Sequence, residues 1–369
     1  MTGSKTSHFN RAAALAFLLA AVALAGPDWV MFVGQVNGPV KTTRGSDLSC
    51  FALKKYPGLF WSEGYYHHLN FPDGSMITVS IGFNRTEVNV AFVYGRPGLK
   101  PFHDFMVADL EEAKFDDQGF GFALAKNRVR LEGNQYHLDL EFGKVKARIE
   151  YEIMSPGYTY GDGLVRYPDG KSYAYYSLPI PWAKVRVHAV LDGKAYELEG
   201  SGNMNHDAAV LFPAYTPLNW QVFWFFGGDH ALAIADYFAH PKFGRTLVQR
   251  LVFMDQAGSM FTSTSFALKW DDWTTAPGIP FRYPRHYSLI AEGGGAKIEV
   301  EARLREILLL EDLYSNLPSY LKLIVEHLTR NAWTMDGWAD YTATYSHDGK
   351  TDNYRGRGIL RWSNLEEEK

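Results

Sequence analysis

Recurrent Asp-Gly turns separate segments of alternating polarity, and that pairing confines most of this chain to antiparallel β structure. Phe71-Pro72-Asp73-Gly74, Tyr167-Pro168-Asp169-Gly170, Leu191-Asp192-Gly193 and His347-Asp348-Gly349 are each flanked by β-rich sequence. Asp-Gly supplies the positive φ that a tight hairpin requires. Between the turns, Met76-Ile77-Thr78-Val79-Ser80-Ile81 and Ala147-Arg148-Ile149-Glu150-Tyr151-Glu152-Ile153 alternate apolar and polar residues. Lys297-Ile298-Glu299-Val300-Glu301-Ala302-Arg303-Leu304 divides into a charged face and an apolar face. Strands of this kind keep one side wet and one side dry.

One segment breaks the rule. Trp220-Gln221-Val222-Phe223-Trp224-Phe225-Phe226 is bulky on both faces, so it must bury both. With 22 Tyr, 24 Phe and 10 Trp, the chain has rings enough to fill a β core or to wall an apolar interior. A helix is expected over Leu317–Leu328, where Leu317, Leu321, Val325 and Leu328 form a stripe behind Asn316 and Pro318. Ala108 to Phe115 reads as a weaker helix or loop. At 369 residues the chain suits two domains, placed at 26–203 and 204–369 and meeting near Gly202.

Lys5 and Arg11 precede an apolar or small run from Ala12 to Gly26, with Ala23-Leu24-Ala25 as a small-x-small cleavage site. That is the layout of a secretory signal peptide over residues 1–25, with an uncleaved anchor as the alternative. The expected location is exported, periplasmic or secreted, with peripheral membrane contact. Net charge is −4 and no Lys/Arg run occurs in the body, so the electrostatic footprint of a nucleic-acid binder is missing. Cys50, the lone cysteine, excludes an intramolecular disulfide and a multi-cysteine zinc site.

Chemistry is harder to read. Glu292-Gly293-Gly294-Gly295 runs into a strand, which makes it a hairpin turn rather than a phosphate loop. His67 and His68 are adjacent, so a strand sends them to opposite faces and they cannot share a metal. No Gly-x-Ser-x-Gly elbow is present. Asp104, in Pro101-Phe102-His103-Asp104-Phe105, and Asp207, after His206, are candidate general acids, with a loop-capping role as the competing reading of each.

Gly200-Ser201-Gly202, the aromatic strand Trp220–Phe226 and Tyr314-Ser315-Asn316-Leu317-Pro318-Ser319-Tyr320-Leu321 follow one another in an order that resembles the survival-factor-1-like lipocalin family. Tyr341-Thr342-Ala343-Thr344-Tyr345 and Gly356-Arg357-Gly358 then correspond to a closing hairpin. Ser155-Pro156-Gly157-Tyr158 and Pro179-Ile180-Pro181 extend the resemblance into the first half. It implies two tandem antiparallel lipocalin-like, or calycin-like, barrels with one helix in the C-terminal domain, as in the related carotenoid 1,2-hydratase and AttH-like group. Proteins of that wider group bind long apolar molecules or act on them. The hydratase branch carries Gly-Tyr-x-Asp-His-x-Trp-Gly; the matching stretch here is Gly202-Asn203-Met204-Asn205-His206-Asp207-Ala208-Ala209. Asn205 stands at the acid position and Ala208 at the Trp position. Asp207 is expected to point away from the face that the acid would use.

The expectation is therefore an all-β carrier of a lipid or other long apolar molecule, without cofactor or metal. Trp220, Phe223, Trp224 and Phe226 form its wall and His206 is a polar contact. The alternative is an acid-catalysed hydratase or cyclase acting on an isoprenoid or polyene through Asp104 or Asp207.

Overall fold

The computed structural model describes residues 40–43, 61–115, 121–166, 173–210, 219–238, 247–279, 281–312 and 333–364. They form two antiparallel sheets of thirteen and nine strands, the β class that the turn pattern predicts and the tandem lipocalin-like architecture that the resemblance implies. The expected helix at Leu317–Leu328, the leader and Cys50 lie outside the described residues.

The same wiring builds both sheets. Successive hairpins make a meander, and an early strand then pairs with the last one. In the first sheet Trp61–Asn70 pairs with Lys194–Val210; in the second, Asn219–Phe226 pairs with Lys350–Asn364. Residues 204–210, beyond the expected boundary, belong to the strand Lys194–Val210 and pair within the first sheet.

Two of the Asp-Gly turns have the geometry their sequence calls for, Gly74 alone takes positive φ in a third, and Asp169-Gly170 lies outside the described residues. Asp192 and Gly193 both take positive φ (48° and 82°), as do Asp348 and Gly349 (50° and 74°), which matches the right-handed twist of the flanking strands. Gly294 and Gly295 do the same in the hairpin that opens the strand Ala296–Asp312. Ala108–Phe115 departs from the helical reading. Ala108 and Asp109 end the strand Phe102–Asp109, Leu110–Glu112 forms a single 3-10 turn and Lys114–Phe115 a short strand.

Strand alternation sorts the apolar residues into three clusters. One fills the first sheet's interior, around Tyr65, Phe92, Tyr136 and Tyr151. Another fills the second, around Phe223, Phe225, Phe253 and Tyr287. The third joins the two sheets and draws Tyr176 and Trp182 from one, Trp224, Val252 and Trp338 from the other. Trp220–Phe226 earns its two-faced composition here: Phe223 and Phe225 enter the second core while Trp224 and Phe226 enter the seam.

Candidate functional site

A cavity of about 350 Å³ opens in the seam between the sheets, within the size range of small-molecule sites. Three strands of each sheet wall it. Tyr66, Tyr176 and Asp207 come from the first; Trp220, Tyr237 and Arg250 come from the second. The residues belong to a common face because each strand alternates. Val248, Val252 and Met254 flank Arg250 in the seam, whereas Leu251 and Phe253 turn into the second core.

Asp207 is the acid of this cavity. Burial raises its carboxyl to about 6, against the smaller opposing effects of the Asn205 hydrogen bond, His206, Arg250 and Arg361. Asn205 Nδ2 donates to Asp207 Oδ1 at 3.1 Å. The two residues are two apart on one strand and so share a face, which corrects the expectation that Asp207 would point away from the acid position. Tyr66 stands nearby with its hydroxyl pushed up to about 12 by burial and by Asp207. Gly64 makes room for that ring: a Cβ there would sit 2.9 Å from Tyr66 Cε2.

Arg250 is buried, with its guanidinium carbon 4.7 Å from the Tyr176 ring centre and 5.9 Å from that of Tyr237. A second cation lies behind Tyr66: Arg361 donates to Asp336 through Nε and Nη2, both at 2.6 Å. Asp336 is fully buried, so the pair holds two charges inside the seam.

Asp236 also contributes to the cavity lining, yet alternation sends its side chain toward the second core with Leu232 and Ile234. Burial alone lifts its carboxyl well above the ordinary range. Oriented to bond this acid, the Gln221 amide nitrogen lies 2.6 and 2.8 Å from its two oxygens.

The residues anticipated as one wall are divided. Trp220 lines the cavity. Phe223 is in the second core, edge-on to Tyr287 at 5.0 Å. Trp224 stacks on His68 across the seam at 3.8 Å, and its indole Nε1 donates to the Asn203 amide oxygen at 2.5 Å when that amide satisfies both its partners. Phe226 lies in the same seam cluster. His206 points into the first barrel, where Nε2 lies 2.8 Å from Glu63 Oε1. His67 and His68 do face opposite ways: His67 Nε2 bonds Tyr136 Oη at 2.8 Å in the first core, while His68 meets Trp224.

Asp104 has a structural job. Its Oδ2 accepts from the Lys144 amide at 2.7 Å and its Oδ1 from Phe105 N at 2.9 Å, which seals the Gly143 turn. A Cβ at Gly143 would stand 2.3 Å from Asp104 Oδ2. Its side chain tethers a hairpin rather than lining the cavity, so the capping reading replaces the general-acid one.

Sequence reasoning missed Tyr66, Arg250, Asp236 and Glu63. The signal was present for two of them: Arg250 and Asp236 interrupt otherwise apolar strands, LVQRLVFMD and HALAIADYF. Nothing local marks Glu63 or Tyr66.

The fold is shared with solved structures at low sequence identity. CghA superposes with a TM-score of 0.59 at 11% identity, covering 91% of this chain and 98% of that one. An AttH-like protein of Nitrosomonas europaea gives 0.55 at 16%, covering 89% and 99%. Kievitone hydratase of Nectria haematococca gives 0.50 at 11%, covering 90% and 98%. No protein-family profile matches the chain, and no curated protein matches it in sequence. The likeness is therefore one of fold. It agrees with the AttH-like and hydratase side of the expected group and lends no support to the survival-factor-1 assignment.

Proposed function

We propose that this protein is an acid-catalysed hydratase or cyclase that acts on an unsaturated, largely apolar small molecule in the seam cavity. The observation that carries the proposal is a half-buried carboxyl, Asp207, raised to about 6 inside a cavity walled by aromatic rings. An acid with its midpoint near working pH can donate a proton and take one back, which is what such a reaction asks of a single residue.

Asp207 O–H protonates one carbon of a C=C bond, leaving a carboxylate and a carbocation. Trp220, whose ring lines the cavity, is suited to steadying that cation. In hydration, water adds to the cation and its extra proton returns to Asp207. In cyclisation, a second C=C attacks and Asp207 removes a proton from the product. Arg250 and Tyr66 hold the carboxylate that forms between the two steps. The kinship of fold with a protein named as a hydratase supports this reading. A lipid carrier would use the same cavity without needing the acid.

The test is turnover of acyclic isoprenoids and polyenes in H₂¹⁸O, with wild type beside Asp207→Asn. The expected result is label uptake or cyclised product that falls on the order of 10²-fold or more in the variant. Binding without conversion in both proteins, together with an Asp207 infrared band that titrates near 4, would leave the carrier reading in its place. Export by residues 1–25 is proposed alongside, and N-terminal sequencing of the mature protein should begin near Gly26.

A further inference from the structure

His206 and Asp207 leave opposite faces of one strand, and the His206 face holds a polar cluster that acid catalysis in the seam does not use. Ser177, His206 and Tyr65 occupy one rung across three strands; Tyr175, Ala208 and Glu63 occupy the next rung on that face. Residues opposed on a ladder hold their Cβ atoms about 4.5–5.5 Å apart. Ser177, His206 and Glu63 are 1%, 2% and 3% exposed. The imidazole lies flat on Tyr65 at 4.3 Å and edge-on to Tyr175 at 5.1 Å. Tyr65 Oη donates to Glu63 Oε1 at 3.4 Å.

Three atoms of this cluster are buried without a hydrogen-bond partner among the described residues: Glu63 Oε2, His206 Nδ1 and Ser177 Oγ. Folded proteins satisfy nearly all buried polar atoms, and exceptions gathered in one place mark a site that something else completes. Their chemistry says what. An N–H at Nε2 donating to Glu63 leaves Nδ1 as an acceptor, Oε2 is a second acceptor, and the serine hydroxyl can donate or accept. Such a set suits a group with one proton to give and a lone pair to receive.

We propose that this cluster is a second binding site, for the hydroxyl of an alcohol or phenol. The ligand O–H donates to His206 Nδ1, and its oxygen accepts from Ser177 Oγ. Glu63 is a positioning residue that fixes the imidazole tautomer. Entry is from the seam cavity, whose lining includes Glu63, Tyr175 and Ala208. Ala208, opposite Glu63, leaves space over the carboxylate. The site does not depend on Asp207.

Binding of 1-naphthol and of its methyl ether, measured by titration calorimetry, tests the proposal. Wild type is expected to bind the naphthol at least tenfold more tightly than the ether. Ser177→Ala should narrow that ratio, and His206→Phe should abolish it. Glu63→Gln should weaken the naphthol alone, and Asp207→Asn should leave the ratio intact. Equal affinity for the two probes in wild type would overturn the site, as would a ratio that survives Ser177→Ala and His206→Phe. A ratio lost in Asp207→Asn and kept in Ser177→Ala would also overturn it, because the hydroxyl would then sit in the seam. Circular dichroism checks folding; should His206→Phe unfold, the wild-type comparison and Ser177→Ala decide.

Discussion

Asp207 and Asp236 stand on opposite sides of the same seam, and only one of them has neighbours that keep its proton negotiable. Both carboxyls are raised by burial. Around Asp207, the Asn205 amide, His206, Arg250 and Arg361 pull back toward the ionised form, and the result settles near 6. Asp236 meets the Gln221 amide and, among the described residues, no opposing charge, so burial alone holds its carboxyl well above the ordinary range. The difference teaches that burial makes an acid neutral, while burial balanced by cations makes it reversible.

Removing the cation that is paired with Asp336 should break this balance with the largest effect. Arg361→Leu strands the fully buried Asp336, at a cost of about 3–5 kcal/mol in a denaturant melt. Where the variant folds, the Asp207 infrared band should move upward, toward the behaviour of Asp236. An unchanged band would mean that Arg361 contributes nothing to the contrast.

Acid denaturation probes the opposite sign of charge. Burial lowers His67 to about 4 from its usual 6.5. Between those values the unfolded chain binds the extra proton, so stability is full above pH 6.5 and falls as pH drops to 4, by about 3 kcal/mol. His67→Gln should flatten that limb of the stability profile, and melts between pH 4 and 7 would show it.

Asp207→Asn should run the other way. Its folded value near 6 exceeds the unfolded value of 3.8, so its stabilisation is complete below 3.8 and lost as pH rises through 6. Because the carboxyl partly faces the cavity, the Asn variant should gain about 2 kcal/mol over wild type at pH 8. Near pH 3.5 the two should differ little. A variant that loses activity while gaining stability is the signature of a functional acid held against its preference.

The smallest distinct effect is the share of Asp236 in the same profile. Its raised carboxyl makes wild-type stability decline as pH rises above the ordinary carboxylate range, in addition to the decline from Asp207. Asp236→Asn should remove that share and leave turnover intact. Loss of turnover on the scale of Asp207→Asn would reverse the roles assigned to the two acids.

The sequence determined the β class, because period-two polarity and Asp-Gly turns are local properties of backbone geometry: Asp192-Gly193 and Asp348-Gly349 adopt the positive φ values that their residues favour. It also determined that Trp220–Phe226 buries both faces and that His67 and His68 part company, since alternation along a strand needs no knowledge of its partners. The spacing of Asn205 and Asp207 was equally legible as a shared face. Tertiary structure alone decided which faces meet. Glu63 joins His206 from 143 residues away, and Arg250 joins Tyr176 through packing between separate sheets. Asp104 looked like an acid among aromatic neighbours until a turn forty residues on claimed its carboxylate. Distant strands are brought together by hydrogen-bonded register and buried area, and neither is written in the residues flanking a site.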